Sequence, residues 1–238
     1  QDQGTTTLKR IQEFTWGVLA LNTNKSIFQP GESAYLQMAA LKDDGHTVCD
    51  ARLLLEIRGP GSGSEILSTE NKGIHYSGVC GPDNIVYVPD YYAFYKVQGP
   101  GLYEMTLTNL DTGYQISDSF EARERVPFDV EREGPTRIYP PAGYEMNIKI
   151  KANQNFKGDV LETIPKGFKV IPRPDARIVE GQEEKMLIWE VEWKKGKEYQ
   201  LKYYFDAPDI SPYLYLLGPL EIGSFQETRS WQIAADAV

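Results

Sequence analysis

The chain has 238 residues, with 34 acidic and 25 basic side chains for a net charge of −9; it is rich in Tyr (15) but holds only two His and two Cys. That balance excludes the basic stripe a non-specific nucleic-acid binder needs, and the scarcity of His and Cys excludes zinc fingers and His-rich metal centres. No apolar run reaches the roughly 18 residues that a membrane-spanning helix requires.

In chain order, Gln1 fits removal of a secretory leader as well as an arbitrary boundary. Thr5, Thr6, Thr7, Leu8 and Ile11 then form a β-branched, polar stretch with little reason to fold alone. It is a candidate assembly strand, able to add to an open sheet edge of a neighbouring subunit, with docking on its own domain as the alternative. Ser33–Ala40 and Arg52–Arg58 are short apolar-rich runs between turn residues, and Leu102–Asn109, Glu145–Ala152 and Met186–Trp193 alternate apolar and polar side chains. Pro and Gly clusters such as Gln29-Pro30-Gly31-Glu32, Asp43-Asp44-Gly45 and Asp111-Thr112-Gly113 separate them with turn chemistry. No stretch carries a sustained helical stripe with start and stop signals. The fold class is therefore expected to be all-β, as two consecutive immunoglobulin-like sandwiches. The boundary falls in Glu121–Pro127, giving domains of 1–125 and 126–238, each acidic, joined by a linker too short and too poor in Gly and Ser to swing freely.

Cys49 and Cys80 fall in the first half. Joined, they close a loop of about 31 residues, a constraint on the unfolded chain of about 3–4 kcal/mol. That outcome implies an exporting compartment, and two buried free thiols are the alternative.

Phe28-Gln29-Pro30-Gly31-Glu32, then Leu41-Lys42-Asp43-Asp44-Gly45, then Val48–Pro60 resembles the macroglobulin-like and bacterial immunoglobulin-like pattern. In the second half, Thr136-Arg137-Ile138-Tyr139-Pro140, Ala207–Pro212, Tyr215–Leu220 and Arg229-x-Trp231-Gln232-Ile233-Ala234 look like tandem β-sandwich modules of large bacterial cell-surface proteins. The resemblance covers most of the chain at the level of fold. It implies a place in stalks, surface layers or adhesive arrays, and it carries no catalytic residues.

Sites of chemistry are few. His46 sits in a hairpin turn, while His75 lies near Ser77 and Cys80 without the strand-to-helix elbow of a hydrolase nucleophile. Glu190 and Glu192 share one face of Trp189–Trp193, a spacing compatible with a glycosidase pair but read more simply as the wet side of a strand whose Trp side chains face inward. Gly59–Ser64 is glycine-rich but lacks the Lys-Ser/Thr and the helix of a phosphate loop. No cofactor is expected; calcium is the one ion with loop oxygens at hand, from Asp43 and Asp44 or from Asp83 with Asn84 and Asp90.

The Tyr surplus is the most suggestive feature. Tyr91-Tyr92-Ala93-Phe94-Tyr95, Tyr203-Tyr204-Phe205 and Tyr213-Leu214-Tyr215 place aromatic rings on both faces of their strands. Tyr91, Tyr92, Phe94, Tyr95, Tyr203, Tyr213 and Tyr215 are the candidate contact surface, weighed against packing in the cores and between domains. The expected protein is a non-enzymatic, secreted or cell-surface structural part. It would be a self-assembling subunit of a filament or surface layer, or a module of a surface array, whose partners are copies of itself or neighbouring modules. A carbohydrate-binding or adhesive module, with Tyr and Trp stacked on glycans, is the alternative. Asn24-Lys25-Ser26 is a glycosylation sequon of open status.

Overall fold

Alternation of inward apolar and outward polar side chains builds nearly every long strand. In the segment Leu53–Arg58, Leu53, Leu55 and Ile57 are buried while Glu56 and Arg58 face outward, and in Gly101–Asn109 the buried set is Tyr103, Met105, Leu107 and Asn109. A computed structural model describes residues 17–61, 63–172 and 176–237. The candidate assembly strand Thr5–Ile11 lies outside the described residues. The fold is all-β, and no helix occurs among the described residues.

The first nine strands are β1 (Val18–Thr23), β2 (Ile27–Phe28), β3 (Ser33–Leu41), β4 (Leu53–Arg58), β5 (Ser64–Ser68), β6 (His75–Tyr76), β7 (Tyr91–Lys96), β8 (Gly101–Asn109) and β9 (Gln115–Ala122). They form a four-stranded sheet, β1-β3-β7-β6, and a five-stranded sheet, β2-β9-β8-β4-β5. Between them lies a core of Leu21, Leu36, Met38, Leu55, Tyr103 and Phe120 with their neighbours. The Phe28–Glu32 turn that enters β3 needs glycine at Gly31, where φ is +89°. Glu32 closes it by donating its N–H to the Gln29 carbonyl (3.1 Å) and accepting the Gln29 N–H on its carboxylate (2.7 Å).

β9 ends at Ala122, and the chain resumes as β10 (Phe128–Glu133), β11 (Arg137–Ile138), β12 (Tyr144–Ala152), β13 (Phe156–Pro165) and β14 (Lys169–Pro172). Then come β15 (Ala176–Glu180), β16 (Glu184–Trp193), β17 (Glu198–Asp206) and β18 (Tyr213–Leu217). β19 (Leu220–Ile222), β20 (Phe225–Gln226) and β21 (Trp231–Ala235) complete the chain. Their sheets are β10-β12-β17-β14, β15-β16-β13-β19-β20 and a three-stranded β11-β21-β18. The core they enclose is aromatic, with Phe128, Trp189, Trp193, Tyr203, Phe205 and Trp231 at its centre. Complete burial of side chains of this size contributes about 1.5–3 kcal/mol each.

A third, smaller cluster joins the two halves. Ala20 of β1 with Ala39 and Leu41 of β3 meets Ala234 of β21, with Val18 and Leu214 packed alongside. The small side chains let β1 approach β21 closely. One end of the outer face of the β1-β3-β7-β6 sheet is therefore covered by the second half.

Candidate functional site

Among the described residues, nothing of the second half covers the other end of this sheet face, where Phe94 is exposed. Register pairs Tyr35 of β3 with Phe94 of β7, and Tyr92 of β7 with His75 of β6. Because side chains alternate, Tyr92 and Phe94 project outward while Tyr91, Ala93 and Tyr95 enter the core. The Tyr35 and Phe94 rings stack at 5.2 Å with an interplanar angle of 27°; Tyr92 lies 6.0 Å from Tyr35 and 5.9 Å from Phe94, and His75 is 5.2 Å from Tyr92. Phe94 is 58% exposed, a large apolar ring held open to water. Partial burial, and after it the nearby Tyr92, raises the pKa of the Tyr35 phenol.

Tyr92 and Phe94 are thus brought together, with Tyr35 and His75 added by the fold. Tyr35 was hidden among the apolar residues of β3, and only the β3–β7 register reveals it. The remaining aromatic candidates divide. Tyr91, Tyr95, Tyr203 and Tyr215 are buried and belong to the cores, which removes them from any contact surface. Tyr91 donates its hydroxyl to the Val48 carbonyl (2.5 Å), and Tyr203 donates to Glu162 (2.9 Å). Burial, then the adjacent Tyr213, pushes the Tyr215 phenol up to about 12. Tyr213 is 40% exposed at the β18 margin, with its ring 4.5 Å from that of Tyr215, away from the Tyr92 group in sequence and sheet.

Two of the calcium candidates lie in the same seam that joins the halves. Asn84 and Asp90 spend their oxygens on a guanidinium: Arg137 Nη2 donates to Asn84 Oδ1 (2.8 Å), and Nε and Nη2 donate to the Asp90 carboxylate (2.8 and 3.0 Å). Arg137 Nη1 reaches Asp236 Oδ2 (2.8 Å), and the other Asp236 oxygen accepts the Thr47 N–H (3.0 Å). Asp44 accepts the His46 N–H (3.0 Å) and sits beside its ring, as a turn residue does. Asp83 is exposed, and no group of three or more metal-ligating side chains occurs among the described residues.

A second buried network extends this seam. Leu21 of the edge strand β1 donates its N–H to Gln232 Oε1 (2.8 Å), and its carbonyl accepts Arg229 Nη2 (2.6 Å). Asn22 and Gln232 exchange two bonds: Asn22 Nδ2 donates to the Gln232 carbonyl (2.7 Å), and the Gln232 N–H donates to Asn22 Oδ1 (2.8 Å). Asp118 of β9 accepts both Arg229 Nη2 (2.7 Å) and Gln232 Nε2 (2.8 Å). A strand edge is thereby sealed by side chains of β21 and of the Arg229 turn before it. Lys25 adds a mostly buried contact, bonding Glu32 and Asp129 at 2.8 Å each. Asn24 is committed as well, donating to Glu131 (2.9 Å) and accepting the Tyr35 N–H (3.0 Å), which leaves its carboxamide engaged on both sides. Gly45 lies so close to the second half that a Cβ there would meet Ser211 Oγ at 2.3 Å.

Of the residues weighed for catalysis, Ser77 Oγ is buried without a hydrogen-bond partner among the described residues, and the His75 ring faces Tyr92. Trp189 and Trp193 are core residues, and Glu190 and Glu192 face solvent. Lys157 (2.9 Å) and Lys194 (3.2 Å) bond the Glu192 carboxylate and hold it below its ordinary range. The disulfide is present: Cys49 and Cys80 are joined, with Cα atoms 5.6 Å apart.

No protein-family model and no curated protein matches the chain. Solved structures with weak similarity include a mutant alpha-2-macroglobulin from Salmonella, at 16% identity and TM-score 0.35 over 94% of this chain and 15% of that one. A trypsin-activated alpha-2-macroglobulin from Escherichia coli follows at 12% identity and TM-score 0.34, over 93% and 16%. A chitinase from Bacillus thuringiensis aligns at 13% identity and TM-score 0.28, over 83% and 28%. The chain spans less than a third of the length of each.

Proposed function

We propose that this chain is a non-enzymatic, extracellular structural module, made of two immunoglobulin-like sandwiches and built to pack against copies of itself or neighbouring modules of a surface assembly. The observation that supports this most is the aromatic face of Tyr35, Tyr92 and Phe94, whose sheet already buries its far end against β21. Exposed Phe94 beside half-buried Tyr35 and Tyr92 on a rigid sheet offers contact area with little conformational entropy to lose. The disulfide fits an oxidising compartment. Self-assembly is tested by sedimentation velocity over a rising concentration series, for the native chain and for Tyr92→Ser/Phe94→Ser. Concentration-dependent association of the native chain, lost in the variant at unchanged circular dichroism, is the expected result. A native chain that stays monomeric, or a variant that associates equally well, contradicts the proposal.

The stacked Tyr35–Phe94 pair favours one second reading, a glycan-binding face in which sugar C–H groups lie on the rings. Glycan-array binding by a strictly monomeric chain, abolished in the same variant, selects that reading.

A further inference from the structure

We propose that the Cys49–Cys80 disulfide is a redox-sensitive latch on the coupling between the two halves. The two loops it joins are those that grip the second half. On the Cys49 loop, the Gly45 carbonyl accepts the Ala237 N–H (2.9 Å) and the Thr47 N–H donates to Asp236 (3.0 Å). On the Cys80 loop, between β6 and β7, Asn84 and Asp90 hold Arg137, and Tyr87 packs its ring 5.7 Å from Tyr144. The grip is thus a cup with one wall on each loop, and Arg137 and Asp236 are clasped to each other inside it (2.8 Å).

Scant apolar burial ties the Cys80 wall down, because Val79, Ile85, Tyr87 and Val88 are exposed. Beyond its contacts with Arg137 and Tyr144 it is held by local bonds, Tyr76 Oη donating to the Cys80 carbonyl (3.2 Å), the Ser77 N–H to the Asp90 carbonyl (3.0 Å) and Asn84 Nδ2 to the Val79 carbonyl (2.7 Å). Thr47 Oγ1 stands 3.6 Å from Cys80 Sγ and 3.5 Å from Asp90 Oδ2, both at the outer limit of a hydrogen bond. The covalent bridge is the strong link between the walls, and both cysteines are half-buried, within reach of a small dithiol. In the reducing step, one thiolate of the dithiol attacks a Cys sulfur, giving a mixed disulfide and expelling the other Cys as a thiolate. The second thiol of the dithiol then closes on the mixed disulfide and releases the first Cys. Two electrons and two protons pass to the pair, leaving two Cys thiols and a cyclic oxidised dithiol. Released, the Cys80 wall lets go of Arg137 and Tyr144, and the second half loses one side of its seat.

The Thr47 and Ala237 amides report directly on the grip, because each donates across the seam. Hydrogen exchange is measured on the folded chain before dithiothreitol, after reduction confirmed by intact mass, and after reoxidation. The latch predicts that both amides exchange about tenfold faster or more in the reduced chain, and that reoxidation reverses the change while amides of the β8–β9 and β12–β17 pairs hold steady. Cys49→Ser/Cys80→Ser should behave as the reduced chain without any dithiol, and the native chain suffices should that variant fail to fold. Faster exchange confined to the Cys80 loop, equal acceleration across β8–β9, or a disulfide that the dithiol does not reduce in the folded chain would overturn the proposal.

Discussion

Arg132 is almost wholly buried and faces two carboxylates. Its Nη1 and Nη2 donate to Glu162 (2.8 Å each), while Nε donates to both oxygens of Glu227 (3.0 Å each). Tyr203 Oη and the Leu220 N–H donate to the same two carboxylates, at 2.9 Å each. Burial alone would lower the Arg132 pKa, but the two glutamates outweigh it and keep the guanidinium charged. Removing the cation strands buried negative charge, so Arg132→Met should cost about 3–5 kcal/mol in urea denaturation. Converting both glutamates to glutamine in the same background should recover part of that loss, because the stranded charge is what makes the single change expensive.

At the scale of elements, β1 and β21 are joined by side chains where a sheet would use backbone. Gln232→Ala leaves the Leu21 N–H buried without its acceptor, and Asn22→Ala breaks the two-bond exchange with β21. Each should lower stability by about 1–3 kcal/mol, with faster exchange of the Leu21 amide as the local sign in Gln232→Ala. Strands of this kind are legible in sequence: Ser33–Ala40, Leu102–Asn109 and Met186–Trp193 fall within β3, β8 and β16 because period-two alternation and turn residues are local signals. The seam is not. Leu21 and Gln232 are 211 positions apart, and nothing local marks Arg137 or Arg229 as partners of Asp90 and Asp118. The Tyr-rich strands show the same limit. Alternation splits Tyr91 and Tyr95 from Tyr92 and Phe94, but which set faces water depends on how far the second half covers the sheet.

Across the whole molecule, the buried seam ties the two cores together, and thermal unfolding at neutral pH should be a single calorimetric transition. Lys25 makes this coupling pH-dependent. Burial would lower its pKa, yet hydrogen bonds with Asp129 and Glu32 outweigh that and raise it above the ordinary 10.5. A raised lysine pKa stabilises the fold fully below 10.5, and the contribution is lost as pH climbs through the folded value. Melting temperature should therefore fall at alkaline pH, and less steeply in Lys25→Met; equal slopes would show that Lys25 carries none of the dependence. Tyr215, held near 12, should titrate well above the ordinary phenol value of 10.0 in an absorbance titration and destabilise the fold in the same direction.

On the proposed function, the outward aromatic face is where this molecule meets its neighbours. Hydroxyl-radical footprinting of Tyr35, Tyr92 and Phe94 in dilute and in concentrated chain tests that most directly. The predicted result is labelling of the three rings when dilute, strongest at Phe94, and protection of all three together when concentrated, with exposed Tyr213 unchanged. Equal labelling at every concentration, or protection that falls elsewhere, would contradict it.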